Sequence, residues 1–262
     1  MPGQLLCRGE HLIARVSKVA ATQAQPGGSP LIRIDSASGV AQPLISPLLS
    51  NATKFAVDPE NPSTLYAAAD SGLIRSTDSG ASWERIDTFP AVPIIASITI
   101  DPSDSNVIYV SANSRGLFRS VDGGITWSEM NQGIPPPVNT SFYVNQLWVD
   151  PESSSVLFAT SSSGLIRSAD AGASWTVVLV IDIASGLAFD PFAPGTIYES
   201  GAGRGSSTVN KSTDDGVTWT PLAAAPNGFP NQILTDPFNF GVLYFSAIQG
   251  SINRRMAARR GP

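Results

Sequence analysis

Short apolar runs recur four to a unit along this chain, separated by clusters of Gly, Pro, Asp and Ser. The first unit contains Thr53–Val57, Leu65–Ala69, Leu73–Ser76 and Trp83–Ile86; the second contains Ile98–Ile100, Val107–Ser111, Leu117–Ser120 and Thr126–Glu129. The third runs through Gln146–Val149, Val156–Thr160, Leu165–Ser168 and Trp175–Leu179, and the fourth through Gly186–Phe189, Thr196–Glu199, Thr208–Ser212 and Thr218–Leu222. Rich in Val, Ile, Leu and aromatics and bounded by turn formers, these runs predict strands, not helices. The first two strands of each unit are joined by Asp-Pro pairs: Asp58-Pro59, Asp101-Pro102, Asp150-Pro151, Asp190-Pro191 and Asp236-Pro237. Pro presets a turn and Asp bonds its own backbone there, so five such pairs mark five unit starts.

The third and fourth strands of each unit flank a repeated phrase, Ser-x-Asp-x-Gly-x-Ser/Thr-Trp. It is carried by Ser76, Asp78, Gly80 and Trp83; by Ser120, Asp122, Gly124 and Trp127; by Ser168, Asp170, Gly172 and Trp175; and by Ser212, Asp214, Gly216 and Trp219. Its aspartates stand 44, 48 and 44 residues apart, a propeller-blade period. The oxygens of Ser and Asp can accept free backbone N–H groups of the turn, Gly supplies a positive φ, and Trp anchors the returning strand. A four-stranded meander repeated radially is a β-propeller, so the predicted fold is all-β, with about five recognisable antiparallel blades.

The expected organisation is an irregular N-terminus over 1–30 and a propeller over 31–250. That propeller comprises a hairpin at 31–45, blades at about 52–88, 96–130, 145–180 and 185–222, and a partial blade at 231–250. The hairpin reads as the outer half of a blade whose inner half comes from elsewhere, which leaves open a ring it helps to complete or an open arc. Residues 251–262 form a basic tail with Arg254, Arg255, Arg259 and Arg260 where a fifth phrase is due. One permitted coding of Ser251–Arg260, read from the third base of Ser251, spells Tyr-Lys-Ser-Thr-Asp-Gly-Gly-Ala-Thr-Trp. The tail is therefore read as a frameshifted or misassigned ending, and wobble bases that spell no such phrase in either other frame overturn that hypothesis.

With 262 residues, 42% of them hydrophobic, and 23 Gly and 21 Pro, the chain suits one large, turn-rich β domain. A net charge of −5 gives no field that favours nucleic-acid phosphate or an anionic membrane surface. Cys7 is the only cysteine and His11 the only histidine, so no disulfide, zinc cluster or Ser-His-Asp arrangement is expected, and no cofactor. No apolar run is long enough for a membrane helix, and Arg15 and Lys18 interrupt the stretch where a signal peptide would be apolar.

The fourfold phrase resembles the Asp-box (BNR) repeat of sialidase-like, sortilin-like and xyloglucanase-like propellers over residues about 52–250. The resemblance implies that the box is structural, lying on the blade periphery away from any catalytic centre, and that the protein is exported to an extracellular or periplasmic location. It also implies two functional classes: a non-catalytic interaction module for protein or glycan, or a fragment of a glycoside hydrolase.

Function is sought on the opposite face, in Thr88–Pro93, Gln132–Asn145, Glu199–Ser207 and Ala223–Pro230. The binding-face candidates are Phe142, Tyr143, Arg115 and Arg204. The Gln132–Asn145 link is either an aromatic platform or a proline-stiffened connector. Gly201–Ser207 reads as a flexible blade loop, since it lacks the Gly-Lys-Ser/Thr ending and following helix of a phosphate loop. A glycosidase needs two placed carboxylates. Asp-Pro turns and boxes account for nine aspartates; of the other acids, Asp70 and Glu199 lie on the candidate face and Asp182 near it, and these three are the catalytic candidates. Arg75, Arg119 and Arg167 recur just before each box, which implies a structural role in place of a substrate-binding arginine cluster.

Overall fold

The computed structural model describes residues 5–8, 11–15, 31–35, 40–92, 94–135, 144–203, 206–224, 230–247 and 254–257. The chain divides into two compact units, Met1–Glu129 and Met130–Pro262. In the first unit, β1 (Leu5–Arg8), β2 (His11–Arg15), β3 (Leu31–Asp35) and β4 (Ala41–Leu44) form one sheet. A second contains β5 (Lys54–Val57), β6 (Leu65–Ala69), β7 (Gly72–Ser76) and β8 (Glu84–Arg85). The third contains β9 (Ile95–Asp101), β10 (Asp104–Ala112), β11 (Gly116–Ser120) and β12 (Ser128–Glu129).

The second unit repeats the plan. Its first sheet, the fourth of the chain, contains β13 (Val144–Asp150), β14 (Ser153–Ser161), β15 (Gly164–Ser168) and β16 (Thr176–Leu179). The fifth contains β17 (Ile183–Phe189), β18 (Ile197–Gly203), β19 (Ser206–Ser212) and β20 (Thr220–Ala224). The sixth contains β21 (Pro230–Thr235), β22 (Val242–Ala247) and β23 (Arg254–Ala257). Each sheet is an antiparallel meander of sequential neighbours, which is the blade that the repeat predicts.

Two expectations are corrected. The N-terminus is not irregular throughout: β1 and β2 pair with each other, and β2 pairs with β3 from His11↔Asp35 to Arg15↔Leu31. The hairpin at 31–45 therefore takes its inner strands from residues 5–15. The segment Glu199–Ser207 is not a loop, because β18 runs through Glu199 to Gly203 and β19 begins at Ser206. This hairpin is longer than its counterparts: Ile197 and its partner Ser212 are 15 residues apart, against 11 for Leu65 and Ser76. Arg254 and Arg255 of the basic tail lie on β23, paired with Phe245 and Tyr244.

The core is not central to a sheet but lies between neighbouring sheets, because each strand alternates its side chains between two covered faces. Leu31 and Leu44 of the first sheet pack with Phe55, Leu65, Ala67 and Ile74 of the second. Tyr66 and Leu73 of the second sheet meet Ile98, Ile108, Val110 and Phe118 of the third. In the other unit, Phe158 and Leu165 of the fourth sheet meet Leu187 and Ile197 of the fifth. Tyr198 and Val209 of the fifth sheet then meet Ile233, Leu243 and Phe245 of the sixth.

Candidate functional site

The four signature turns share one hydrogen-bond pattern. In the first, Ser76 Oγ donates to Asp78 Oδ1 at 2.8 Å and accepts from Gly80 N at 2.8 Å. Asp78 accepts from Ser82 twice, from the backbone N at 2.8 Å and from Oγ at 2.6 Å. The same bonds recur around Asp122, Asp170 and Asp214. These donors stabilise the charged form, above all the Ser or Thr that follows four residues later, and hold all four carboxyls at about 2. The acids are consumed by their own turns.

The turn also requires two consecutive positive-φ residues, the second always Gly. At Gly216 (φ +74°) a Cβ would stand 2.3 Å from Phe158 Cε1, so glycine serves backbone geometry and close packing together. Each turn is tied to the first hairpin turn of its own sheet through a backbone bond: Ser79 N to Ser63 O, Gly123 N to Asn106 O, Ala171 N to Ser155 O, and Asp215 N to Gly195 O. Signature turns and Asp-Pro turns therefore share one end of each blade. The Asp-Pro carboxylates accept from the backbone two residues on, as in Asp150 Oδ1 with Glu152 N and Asp236 Oδ1 with Phe238 N.

Trp83, Trp127 and Trp219 donate their indole N–H to the glycine carbonyl of their own turn. Trp175 instead donates to Met130 O at 2.9 Å and is 2% exposed. The start of the preceding link, with Gln132 O accepting from Trp175 N, folds over it. The recurrent arginines have structural partners. Arg75 Nη1 donates to Gly123 O and Arg167 Nε to Asp215 O, each in the signature turn of the next sheet. The guanidinium of Arg119 stands over the Tyr109 ring, 5.8 Å from its centroid.

The catalytic candidates have different fates. Asp70 follows β6, and its Oδ2 accepts from Asn51 Nδ2 at 2.6 Å while its N–H donates to Ser50 O, which fastens the incoming segment to the blade. Asp182 is exposed just before β17. Glu199 is 0% exposed on β18, where burial pushes its carboxyl up to about 8, countered in part by a 2.8 Å bond from Asn210 Nδ2. The structure brings no two of these three into one described hydrogen-bonded cluster.

Arg115 pairs with Glu129 at 2.8 Å and stands over the Phe118 ring. Phe142, Tyr143 and Arg204 lie outside the described residues. Within Thr88–Pro93, Thr88 Oγ1 donates to Gly124 O and Phe89 packs against Trp127 with ring centroids 4.9 Å apart, so these residues seal a seam between sheets. Among the described residues, no group of three or more His, Cys, Asp or Glu could hold a metal ion.

Sequence reasoning missed an aromatic patch. Phe192, Phe238 and Phe240 are 47%, 86% and 64% exposed, and the rings of Phe192 and Phe240 meet edge to face at 6.2 Å. Phe192 and Phe238 directly follow the Asp-Pro pairs of the fifth and sixth sheets, where the second, third and fourth sheets carry Glu60, Ser103 and Glu152. Aligning the Asp-Pro turns exposes the signal: polar side chains in three repeats, phenylalanine in two.

Comparison with solved structures decides the fold. A xyloglucanase of glycoside hydrolase family GH74 from Xanthomonas campestris superposes with a TM-score of 0.72 at 19% identity, over 91% of this chain and 42% of that one. The fold is that of a β-propeller. An ancestral GH74 enzyme gives 0.71 at 17% identity, over 95% of this chain and 35% of that one. YCF48 from Cyanidioschyzon merolae gives 0.54 at 15% identity, over 79% and 67%. The chain thus spans less than half the length of these two GH74 enzymes. The Sortilin-Vps10 family (sortilin, neurotensin receptor 3) matches residues 71–177, which hold three of the four signature turns. No curated protein matches the chain. The expected likeness to sortilin-like and xyloglucanase-like propellers is borne out.

Proposed function

We propose that this propeller is a non-catalytic module that engages a protein or glycan, that its four signature turns are Asp-boxes, and that it is exported. The observation that carries this reading is the contrast between its acids and its aromatics. Asp70 is tied to Asn51 and Glu199 is sealed, whereas three phenylalanines stand in solvent on turns pinned by Asp190 and Asp236. Exposed aromatics on rigid turns supply contact area at little entropic cost, and such patches mark recognition surfaces.

The propeller fold shared with GH74 enzymes is compatible with a second reading, a fragment of a glycoside hydrolase. One experiment separates them: calorimetric titration and turnover assays on xyloglucan, other polysaccharides and sialosides, with Asp70→Asn, Glu199→Gln and Phe192/Phe238/Phe240→Ala variants. Saturable binding without turnover, lost in the aromatic triple variant, supports the module. Turnover abolished by either carboxylate variant overturns it.

A further inference from the structure

The seam between the fourth and fifth sheets contains a buried carboxyl–amide pair at a position that is apolar in three other repeats. Glu199 on β18 lies opposite Asn210 on β19. The register aligns this pair with Ala67 and Ile74 in the second sheet, Val110 and Phe118 in the third, and Ala159 and Ile166 in the fourth. In three repeats the position is apolar on both strands. In the fifth it holds a carboxyl and an amide, 0% and 5% exposed.

The Glu199 side chain shares its face with Leu187 and Ile197, which pack on Phe158 and Leu165 of the fourth sheet. Its Oε2 accepts from Asn210, while Oε1 meets no donor among the described residues. The sheet is irregular at this level: the pairing shifts register between Ala184 and Gly186 on one side of β18 and between Val209 and Asn210 on the other strand pair. On the opposite face, Ser200 Oγ is likewise buried and unpartnered.

Among the described residues no charge answers Glu199. From the facing sheet, Arg167 is engaged with Asp215 O at the signature-turn end of the seam, near Asp150. On the fifth sheet, Lys211 stands over the Tyr198 ring on the other face. Burial therefore acts on Glu199 without a cation to offset it.

We propose that Glu199, held by Asn210 on the neighbouring strand, is a proton-operated switch in the seam between the fourth and fifth sheets, which stays closed while Glu199 carries its proton and loosens when the proton leaves. The neutral carboxyl is tolerated as a hydrogen-bonded polar group, whereas the carboxylate leaves a charge in an apolar seam. The sign follows from linkage. Unfolded, Glu199 ionises near its ordinary value; folded, it keeps its proton up to about pH 8. Between those values the folded chain binds the extra proton, so stability falls as pH rises, by up to about tenfold in the folding constant per pH unit. Below that window the contribution is fully present; above it the loss is complete.

The test is hydrogen–deuterium exchange of the full chain from pH 5 to pH 9, corrected for intrinsic exchange, beside carboxyl-carbon NMR. The NMR signal is assigned with Glu199→Gln or, should that variant not fold, with Glu199→Ala, the residue of the second and fourth sheets. The expected result is a Glu199 resonance that titrates near pH 8, with protection in β14, β15 and β18 falling as pH rises toward that value and level above it. That loss should be absent from β5–β7 and absent from the variant. A resonance that titrates in the ordinary carboxyl range, or equal seam protection in wild type and variant across the range, overturns the proposal. Neither readout depends on a ligand, so it stands or falls independently of the interaction reading.

Discussion

Arg167 on β15 reaches out of its own sheet and donates Nε to the backbone carbonyl of Asp215, 2.7 Å away in the signature turn of the next sheet. Arg75 makes the matching contact with Gly123 O at 3.4 Å, and each pair is 48 residues apart. The arginine that precedes one turn thus fixes the position of the next, so repeat spacing in sequence becomes register between sheets in space. Arg167→Ala should lower stability by about 1 kcal/mol, the low end for a hydrogen bond to a charged donor because the site is exposed. The urea midpoint should fall with an unchanged m-value. Arg167→Lys should lose nearly as much, since an ammonium lacks the planar fork that reaches sideways to a carbonyl.

The four signature aspartates make acid the chain's vulnerable direction. Their folded values lie near 2 because Ser or Thr hydroxyls and backbone N–H groups bond the carboxylate. A depressed folded value contributes stability that is present above the unfolded value of 3.8 and is lost as pH falls toward 2. Thermal melts should therefore show the melting temperature dropping between about pH 4 and pH 2. Replacing Asp170 with Asn should lower the melt at pH 6 and, near pH 3, reduce the proton uptake on unfolding by up to about one.

These turns and their end of the blade were legible in the sequence because their chemistry is local. Ser76, Asp78, Gly80 and Ser82 bond one another within seven residues, so the order of residue types is almost the structure itself. The strands β1 and β2 were not, since LLCR and HLIAR are short and gain their meaning only by pairing with β3, sixteen residues beyond β2. Glu199 was misplaced for a similar reason. A glutamate beside Gly201, Gly203 and Gly205 reads as loop, and only the extended β18–β19 pairing carries it into the seam. The aromatic patch was hidden because Phe192 and Phe240 belong to different repeats and meet only when two sheets stack.

Two glycines separate backbone need from packing need. Gly123 (φ +69°) and Gly216 (φ +74°) occupy successive positions of the signature turn in two different repeats. A Cβ on Gly123 would meet nothing nearer than 3.8 Å, and its counterparts Ser79, Ala171 and Asp215 already carry side chains at positive φ. Gly123→Ala should therefore cost about 1 kcal/mol or less. Gly216→Ala would drive its Cβ into the ring of Phe158, itself 0% exposed, and should cost about 2 kcal/mol or more. Chemical denaturation of the two single variants checks the order, and equal losses would disprove the packing argument.

The Glu199–Asn210 pair should behave as a unit that is costly to break and cheap to replace. Asn210→Ile removes the donor that reaches the carboxyl among the described residues and leaves a protonated Glu199 facing apolar neighbours, a change expected to cost about 1–3 kcal/mol near neutral pH. Glu199→Val alone leaves the Asn210 amide short of its buried acceptor and should cost about 1–3 kcal/mol. The double variant restores the apolar pairing of the other repeats, Val110 as in the third sheet and Ile74 as in the second. It should be close to wild type or above it at pH 7, since an apolar pair of similar volume avoids the desolvation of the carboxyl. A double-mutant cycle in urea then gives a coupling energy of about 1–3 kcal/mol that opposes the single losses. The cycle repeated at pH 9 should show a larger penalty for Asn210→Ile, because Glu199 has then lost its proton and the carboxylate lacks its donor; a coupling energy of zero at both pH values would mean that the two side chains act independently.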